Sequence, residues 1–229
     1  MMLSSASGGI RWRISSAVSA NRPLLAAGLL FVASAVTLTA FASEGVVPYD
    51  RIEEDWEVVI GEPDPDTHAP QLINVISPTL TLSQDYAVME LNHGTQPEYF
   101  EGGLQLQMWC DDEYHSNYTP RPSLLLSIPG ETIRYTMAMS IEQGQLKVRV
   151  RNGTSTSWGS FGGDSLVVSC PARQPHLKNY STSLSVAKSR VAFAKHRVEK
   201  FALKRVRYYH NDNLVKTDET VRQVYPPTE

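Results

Sequence analysis

From Ile52 onward, apolar and polar residues alternate in short runs that Gly, Pro, Asn and Asp interrupt. Alternation with period two marks a strand with one buried face, because successive side chains leave the backbone on opposite sides. Trp56-Glu57-Val58-Val59-Ile60 is one such run and stops at Gly61, and Glu62-Pro63-Asp64-Pro65-Asp66 after it reads as a loop. Residues 71–77 and 79–83 flank Pro78, and residues 103–109 alternate strictly, with Leu104, Leu106 and Met108 on one face. The clearest hairpin follows. Ile133, Tyr135, Met137, Met139 and Ile141 recur at every second position, Glu142-Gln143-Gly144-Gln145 forms the turn, and Leu146-Lys147-Val148-Arg149-Val150-Arg151 alternates again. Lys147, Arg149 and Arg151 then share a solvated face, Asn152-Gly153 predicts a tight turn, and residues 166–170 predict a strand closed by Pro171.

Residues 177–225 contain neither Gly nor Pro, so two readings stand there. Val191, Ala194, Val198 and Ala202 fit a basic amphipathic helix within residues 185–209. Val191/Phe193, Phe201/Leu203 and Val206/Tyr208 instead fit strands, the last pair after a one-residue shift that a bulge supplies. The strand reading is favoured, with His210-Asn211-Asp212-Asn213 as a turn. No convincing helix falls between residues 52 and 170. The pattern as a whole predicts an all-β chain, an antiparallel β-sandwich of jelly-roll type. Residues 43–70 carry an N-terminal strand and an acidic, Pro-rich loop, and residues 71–229 the sandwich domain.

The N-terminus reads differently. Arg11, Arg13 and Arg22 precede an uncharged apolar run over residues 24–42, and the first acidic residue is Glu44. A basic region, an apolar region and the small-x-small site Ala40-Phe41-Ala42 form the pattern of a secretory signal peptide over residues 1–42. The alternative is an uncleaved anchor, since 19 residues just reach across a bilayer. Cleavage is favoured because Ala, Ser and Thr make the run weakly hydrophobic. The expected location is periplasmic, cell-surface or secreted. The remaining 187 residues suffice for one domain, with no second apolar segment of spanning length, so no membrane contact is expected of the mature domain.

Cys110 and Cys170 are the only cysteines, and an oxidising compartment favours their pairing. Two separate buried thiols are the alternative, while a zinc site lacks a ligand set of the right spacing. Net charge is −3, which excludes a nucleic-acid binder working by bulk positive charge. The charge is nonetheless split. Residues 43–170 hold 6 Lys and Arg against 19 Asp and Glu, and residues 171–229 hold 12 against 5. The plainer reading is that basic terminal strands lie beside acidic ones. The other is a binding face for an acidic polysaccharide or an anionic surface.

Three passages carry a family resemblance. The hairpin over residues 135–151 leads through Gly144-Gln145-Leu146 to Asn152-Gly153, and the run from Phe201 to Asn211 pairs Val-Arg with an aromatic and Asn. With Gly102-Gly103-Leu104-Gln105-Leu106, they resemble strands of the concanavalin A-like sandwich, including its laminin-G-like and glucanase-like members. The resemblance implies two packed antiparallel sheets and contact with carbohydrate. It implies no activity, because a fold hosts many functions.

The catalytic motifs of that class are missing. No Glu-x-Asp-x-x-Glu strand supplies the carboxylate pair that retaining glycoside cleavage needs, and the lyase motifs are absent apart from a superficial Tyr99-Phe100. Gly159-Ser160-Phe161-Gly162 lacks the spacing of a nucleophile elbow. The most suggestive constellation runs from Trp109 to Tyr118, read as a loop. Trp109, Tyr114 and Tyr118 offer rings that stack on sugars, and Asp111, Asp112 and Asn117 offer polar anchors and oxygen ligands of the kind Ca²⁺ takes. Trp158 in a Gly- and Ser-rich stretch is a further ring, with a core position as the alternative. The favoured function is non-catalytic binding of a cell-envelope or extracellular polysaccharide. A divergent polysaccharide hydrolase or lyase is one rival and a structural envelope protein the other.

Overall fold

A computed structural model of the chain describes residues 48–62, 70–91, 103–111, 113–120, 128–157 and 159–227. The expected signal segment lies outside these residues. Described strands are β1 (Arg51–Ile60), β2 (Gln71–Ile76), β3 (Tyr86–Leu91), β4 (Gly103–Cys110), β5 (Glu113–Pro120), β6 (Thr132–Glu142) and β7 (Gln145–Ser155). There follow β8 (Gly159–Phe161), β9 (Val167–Pro171), a short helix α1 (Thr182–Lys188), β10 (Arg190–Phe193), β11 (Val198–His210), β12 (Asn213–Asp218) and β13 (Arg222–Tyr225). The larger sheet runs β12-β11-β1-β6-β7-β8, with β13 beside β11 and β9 beside β7; the smaller runs β10-β2-β3-β4-β5. The antiparallel β-sandwich expected from the alternation is what the chain forms. β1, from the 43–70 stretch, sits inside the larger sheet between β11 and β6.

The core lies between the sheets, where the alternating apolar residues of both meet. Ile52, Trp56, Val58 and Ile60 of β1, Leu104, Leu106 and Met108 of β4, Met137 and Met139 of β6, and Phe201 and Leu203 of β11 are all buried there in one cluster. Removing this apolar surface from water is the main favourable term in the fold. Cys110 at the end of β4 and Cys170 in β9 form a disulfide, so the two sheets are joined covalently. Asn74 of β2 also donates from Nδ2 to the Tyr135 hydroxyl of β6 at 3.0 Å, a polar link across the same layer.

The acidic side chain of Glu54 enters this layer. Glu54 is fully buried on β1, accepting from the Tyr180 hydroxyl at 2.6 Å and from Trp56 Nε1 at 3.0 Å. Burial pushes its carboxyl up to about 7, against the opposing hydrogen bonds from Tyr180, Ser185 and Trp56. No ion pair reaches it among the described residues. A charged carboxylate is therefore held there only by neutral donors.

The turns follow their chemistry. Gln143 and Gly144 both take positive φ between β6 and β7, as do Asn211 and Asp212 between β11 and β12, which is the twist that a two-residue hairpin loop needs. Along β11 the pairing with β1 shifts between Asp55 and Trp56, leaving Lys204 as the extra residue. That bulge puts Phe201, Leu203, Val206 and Tyr208 all on the buried side.

Three local expectations need correction. Asn152-Gly153 is not a turn: β7 continues to Ser155, and Asn152, at φ 53°, and Gly153 form a bulge opposite Tyr135, between the pairs Thr136–Arg151 and Arg134–Thr154. β6 extends past this point and keeps pairing with Thr154 and Ser155, so the strand has no reason to reverse. Gly153 is required because a Cβ there would overlap the ring of Phe161 on β8. Second, the stretch from Trp109 to Tyr118 is a hairpin of β4 and β5 and not a loop. Third, residues 185–209 are strands β10 and most of β11, as favoured, but their first residues belong to α1, whose N-terminus Ser181 caps by accepting from the Leu184 N–H.

The split in charge is resolved by strand pairing. Acidic β1 lies between basic β11 and β6, and its outward residues Glu53, Asp55 and Glu57 run down the solvent face of the larger sheet. Glu53 meets Arg51, Arg151 and Arg207; Asp55 meets Arg205 and Arg207; and Glu57 meets Arg134, Lys200 and Lys204. Glu142 adds Lys147 and Arg149 on the same face. Burial opposes ionisation of Glu57, but hydrogen bonds from Lys200 and Arg134 outweigh it and hold the carboxyl below its ordinary range.

Candidate functional site

Residues of the smaller sheet that do not enter the core face outward: Tyr86, Val88 and Glu90 on β3, Gln105, Gln107 and Trp109 on β4, and Tyr114 and Ser116 on β5. Their alignment comes from register. Tyr86 lies opposite Trp109, and Trp109 opposite Tyr114, so three rings form a row across three strands. Tyr86 and Trp109 stack with centroids 5.0 Å apart and planes 13° apart, while Trp109 and Tyr114 meet at 5.4 Å and 56°. Tyr114 is 52% exposed, and it is the ring of the three with most surface open to solvent.

The next ranks along the same face are polar. Gln107 stands opposite Val88 and Ser116, and Gln105 opposite Glu90. Gln107 donates from Nε2 to Gln105 Oε1 at 2.8 Å, and Gln105 donates from Nε2 to the Tyr114 hydroxyl at 3.4 Å. Burial pushes the Glu90 carboxyl up, against a hydrogen bond from Gln107. The rings and the amides are therefore one connected array. An apolar aromatic edge beside a rank of amide and carboxyl groups matches the two-sided character of a sugar ring, which has an apolar face and a rim of hydroxyls. Glu90 is the only carboxylate facing outward here among the described residues, and those residues do not supply the pair, about 5 Å apart, that retaining cleavage uses.

Of the residues expected from the sequence, Trp109 and Tyr114 are on this face. Trp109 is the middle ring, with Tyr86 against one side and Tyr114 against the other, and Tyr114 is the most exposed of the three. Tyr118 lies opposite Gln105 in the register, at a position of the same face. Asp111 does not join it. It occupies the β4–β5 turn at φ 51°, and its carboxylate pairs with Arg173 at 2.7 Å, the same arginine that bonds Asp85 at 3.2 Å. Asn117 does not join it either. Its register partner is inward Leu106, and its Nδ2 donates across to the Val167 carbonyl of β9 at 3.4 Å. The reason is parity: on a strand, residues 114 and 117 leave opposite faces. Asp112 and Trp158 lie outside the described residues.

Among the described residues, no group of three or more His, Cys, Asp or Glu side chains is placed to hold a metal ion. Asp111, read from the sequence as a polar anchor with oxygen of the kind Ca²⁺ takes, pairs with Arg173 instead. Tyr86, Glu90, Gln105 and Gln107 were not among the expected site residues. Gln105 and Gln107 were visible as the polar half of the alternating run, whereas Tyr86 and Glu90 join them only through the β3–β4 register. Among the described residues, no helix is long and apolar enough to cross a membrane. Compared with protein-family models and with curated proteins, the chain matches none. Its functional reading rests on its own geometry.

Proposed function

We propose that the protein is exported and binds a polysaccharide of the cell envelope or extracellular space, without cleaving it, through the outward face of the smaller sheet. The observation that carries this reading is the row Tyr86–Trp109–Tyr114 aligned with Gln105, Gln107 and Glu90. Export is supported by the basic and apolar N-terminal pattern with its small-x-small site, and by a disulfide, which persists in oxidising compartments. Kinship to concanavalin A-like sandwiches is part of the same reading and rests on the short motifs.

Affinity electrophoresis of the purified protein against a panel of neutral and acidic polysaccharides tests the binding. At least one polysaccharide retards the protein, and chelator leaves that retardation unchanged. Tyr114→Ala weakens the interaction about tenfold or more, as expected when an exposed aromatic anchor is truncated. An unchanged mobility across the panel removes the proposal and leaves the structural-protein reading.

A further inference from the structure

The opposite side of the sandwich carries a second array with different chemistry. On the solvent face of the larger sheet, a depression of about 600 Å³ is lined by Glu57, Arg134, Asn152, Thr154 and Lys204, among others. That volume is in the range of small-molecule sites. Two bulges border it, and they place Lys204 of β11 and Asn152 of β7 at its edge. Bulges of this kind re-aim side chains beside functional sites.

Charge in the depression has a small cationic excess: Arg134, Lys204, Arg205 and Arg207 line it against Asp55, Glu57 and Glu219. Glu57 alone receives Arg134 at 2.9 Å, Lys200 at 3.0 Å and Lys204 at 3.7 Å. Among the described residues of this face, nine Lys and Arg side chains share five carboxylates, Glu53, Asp55, Glu57, Glu142 and Asp212, although the chain itself has net charge −3. Arg134 meets Glu57 through its Nε, and its side chain is 61% exposed. We infer that this depression binds an acidic group on a glycan chain, a uronate or sulfate, with Arg134 and Lys204 on the anion and Asn152, Thr154 and Glu57 on the neighbouring hydroxyls.

The mixture of charges favours a glycan over a lipid surface or a nucleic acid. A dense phosphate array would meet the carboxylates of Asp55 and Glu57 along the centre of the face, and like charges there repel. A sugar chain spaces its anions with hydroxyls that donate to those same carboxylates. The inference does not depend on the aromatic face, which lies on the other sheet and involves none of these residues.

The test titrates the purified protein with oligogalacturonate, dextran sulfate and uncharged dextran, and with anionic phosphatidylglycerol vesicles. One or both acidic glycans bind, binding weakens as salt rises from about 0.05 to 0.5 M, and dextran binds far more weakly. The double variant Arg134→Gln/Lys204→Gln lowers affinity for the acidic glycan about tenfold or more, while Glu57 keeps Lys200 and the melting temperature holds. The single variant Arg134→Gln, at an exposed position, repeats the test at about half the effect on a logarithmic scale. Equal binding of the acidic glycan by wild type and variants overturns the inference, as does binding of vesicles in preference to both acidic glycans. Uronate and sulfate are told apart by which of the two probes binds. Loss of neutral-glycan binding on Tyr114→Ala reports on the other face alone, so either reading can fail without the other.

Discussion

Removal of the Cys110–Cys170 disulfide, by reduction or by paired Cys→Ser replacement, is expected to cost about 4 kcal/mol of stability in the chain-entropy model, for a loop of 60 residues. The bond acts chiefly on the unfolded chain, whose conformations it restricts. Its position adds a second consequence. Cys110 follows Trp109 directly at the end of β4, and Cys170 belongs to β9 of the other sheet, so the bond anchors the hairpin that carries the ring row. Denaturant unfolding of oxidised and reduced protein measures the effect. A midpoint lowered in proportion, with weaker glycan retention on reduction, is the expected result; coincident midpoints would show that sheet packing alone holds the sandwich.

The second large effect concerns pH. The Glu54 carboxyl titrates at about 7 in the folded protein, against 4.5 when exposed, because burial penalises its charge. Below about pH 4.5 both states hold the proton and the group has no effect on stability. Between about 4.5 and 7 the unfolded chain releases the proton first, so stability falls as pH rises, by about 3 kcal/mol once pH exceeds 7. Groups held below their ordinary range, Glu57, Glu142 and Asp218, have the opposite sign and act in the acid limb, below the ordinary carboxylate pKa. Denaturation midpoints should therefore decline from pH 5 to pH 8, and Glu54→Gln should flatten the decline. A wild-type stability that is level across this range contradicts a Glu54 buried among neutral donors.

The fold was largely legible because its code is local. Alternation at period two named β4, β6, β7 and β11, and the Gly144 and Asn211-Asp212 turns named the hairpins. Even the one-residue shift in β11 could be read, since Leu203 and Val206 cannot both be buried without it. Asn152-Gly153 misled because the same two residues serve a hairpin turn or a bulge, and the choice depends on how far the partner strand β6 extends. The candidate site was legible only in part. Trp109 and Tyr114 stand out by residue type, but strand parity separates them from Asn117, and a salt bridge from residue 173 removes Asp111. Tyr86 and Glu90 meet them across strand pairs whose register no short segment encodes. The charge split, by contrast, pointed to basic terminal strands beside acidic ones, and the β1–β11 pair is where they meet.

The proposed polysaccharide site is the outward face of the smaller sheet. Its most direct test is nuclear magnetic resonance mapping during titration with the polysaccharide fragment that retards the protein most. Binding at this face is expected to shift the Trp109 indole N–H, the Gln105 and Gln107 side-chain amides and the ring signals of Tyr86 and Tyr114, with the Trp56 indole in the core unmoved. Binding that leaves those signals in place and moves others contradicts it.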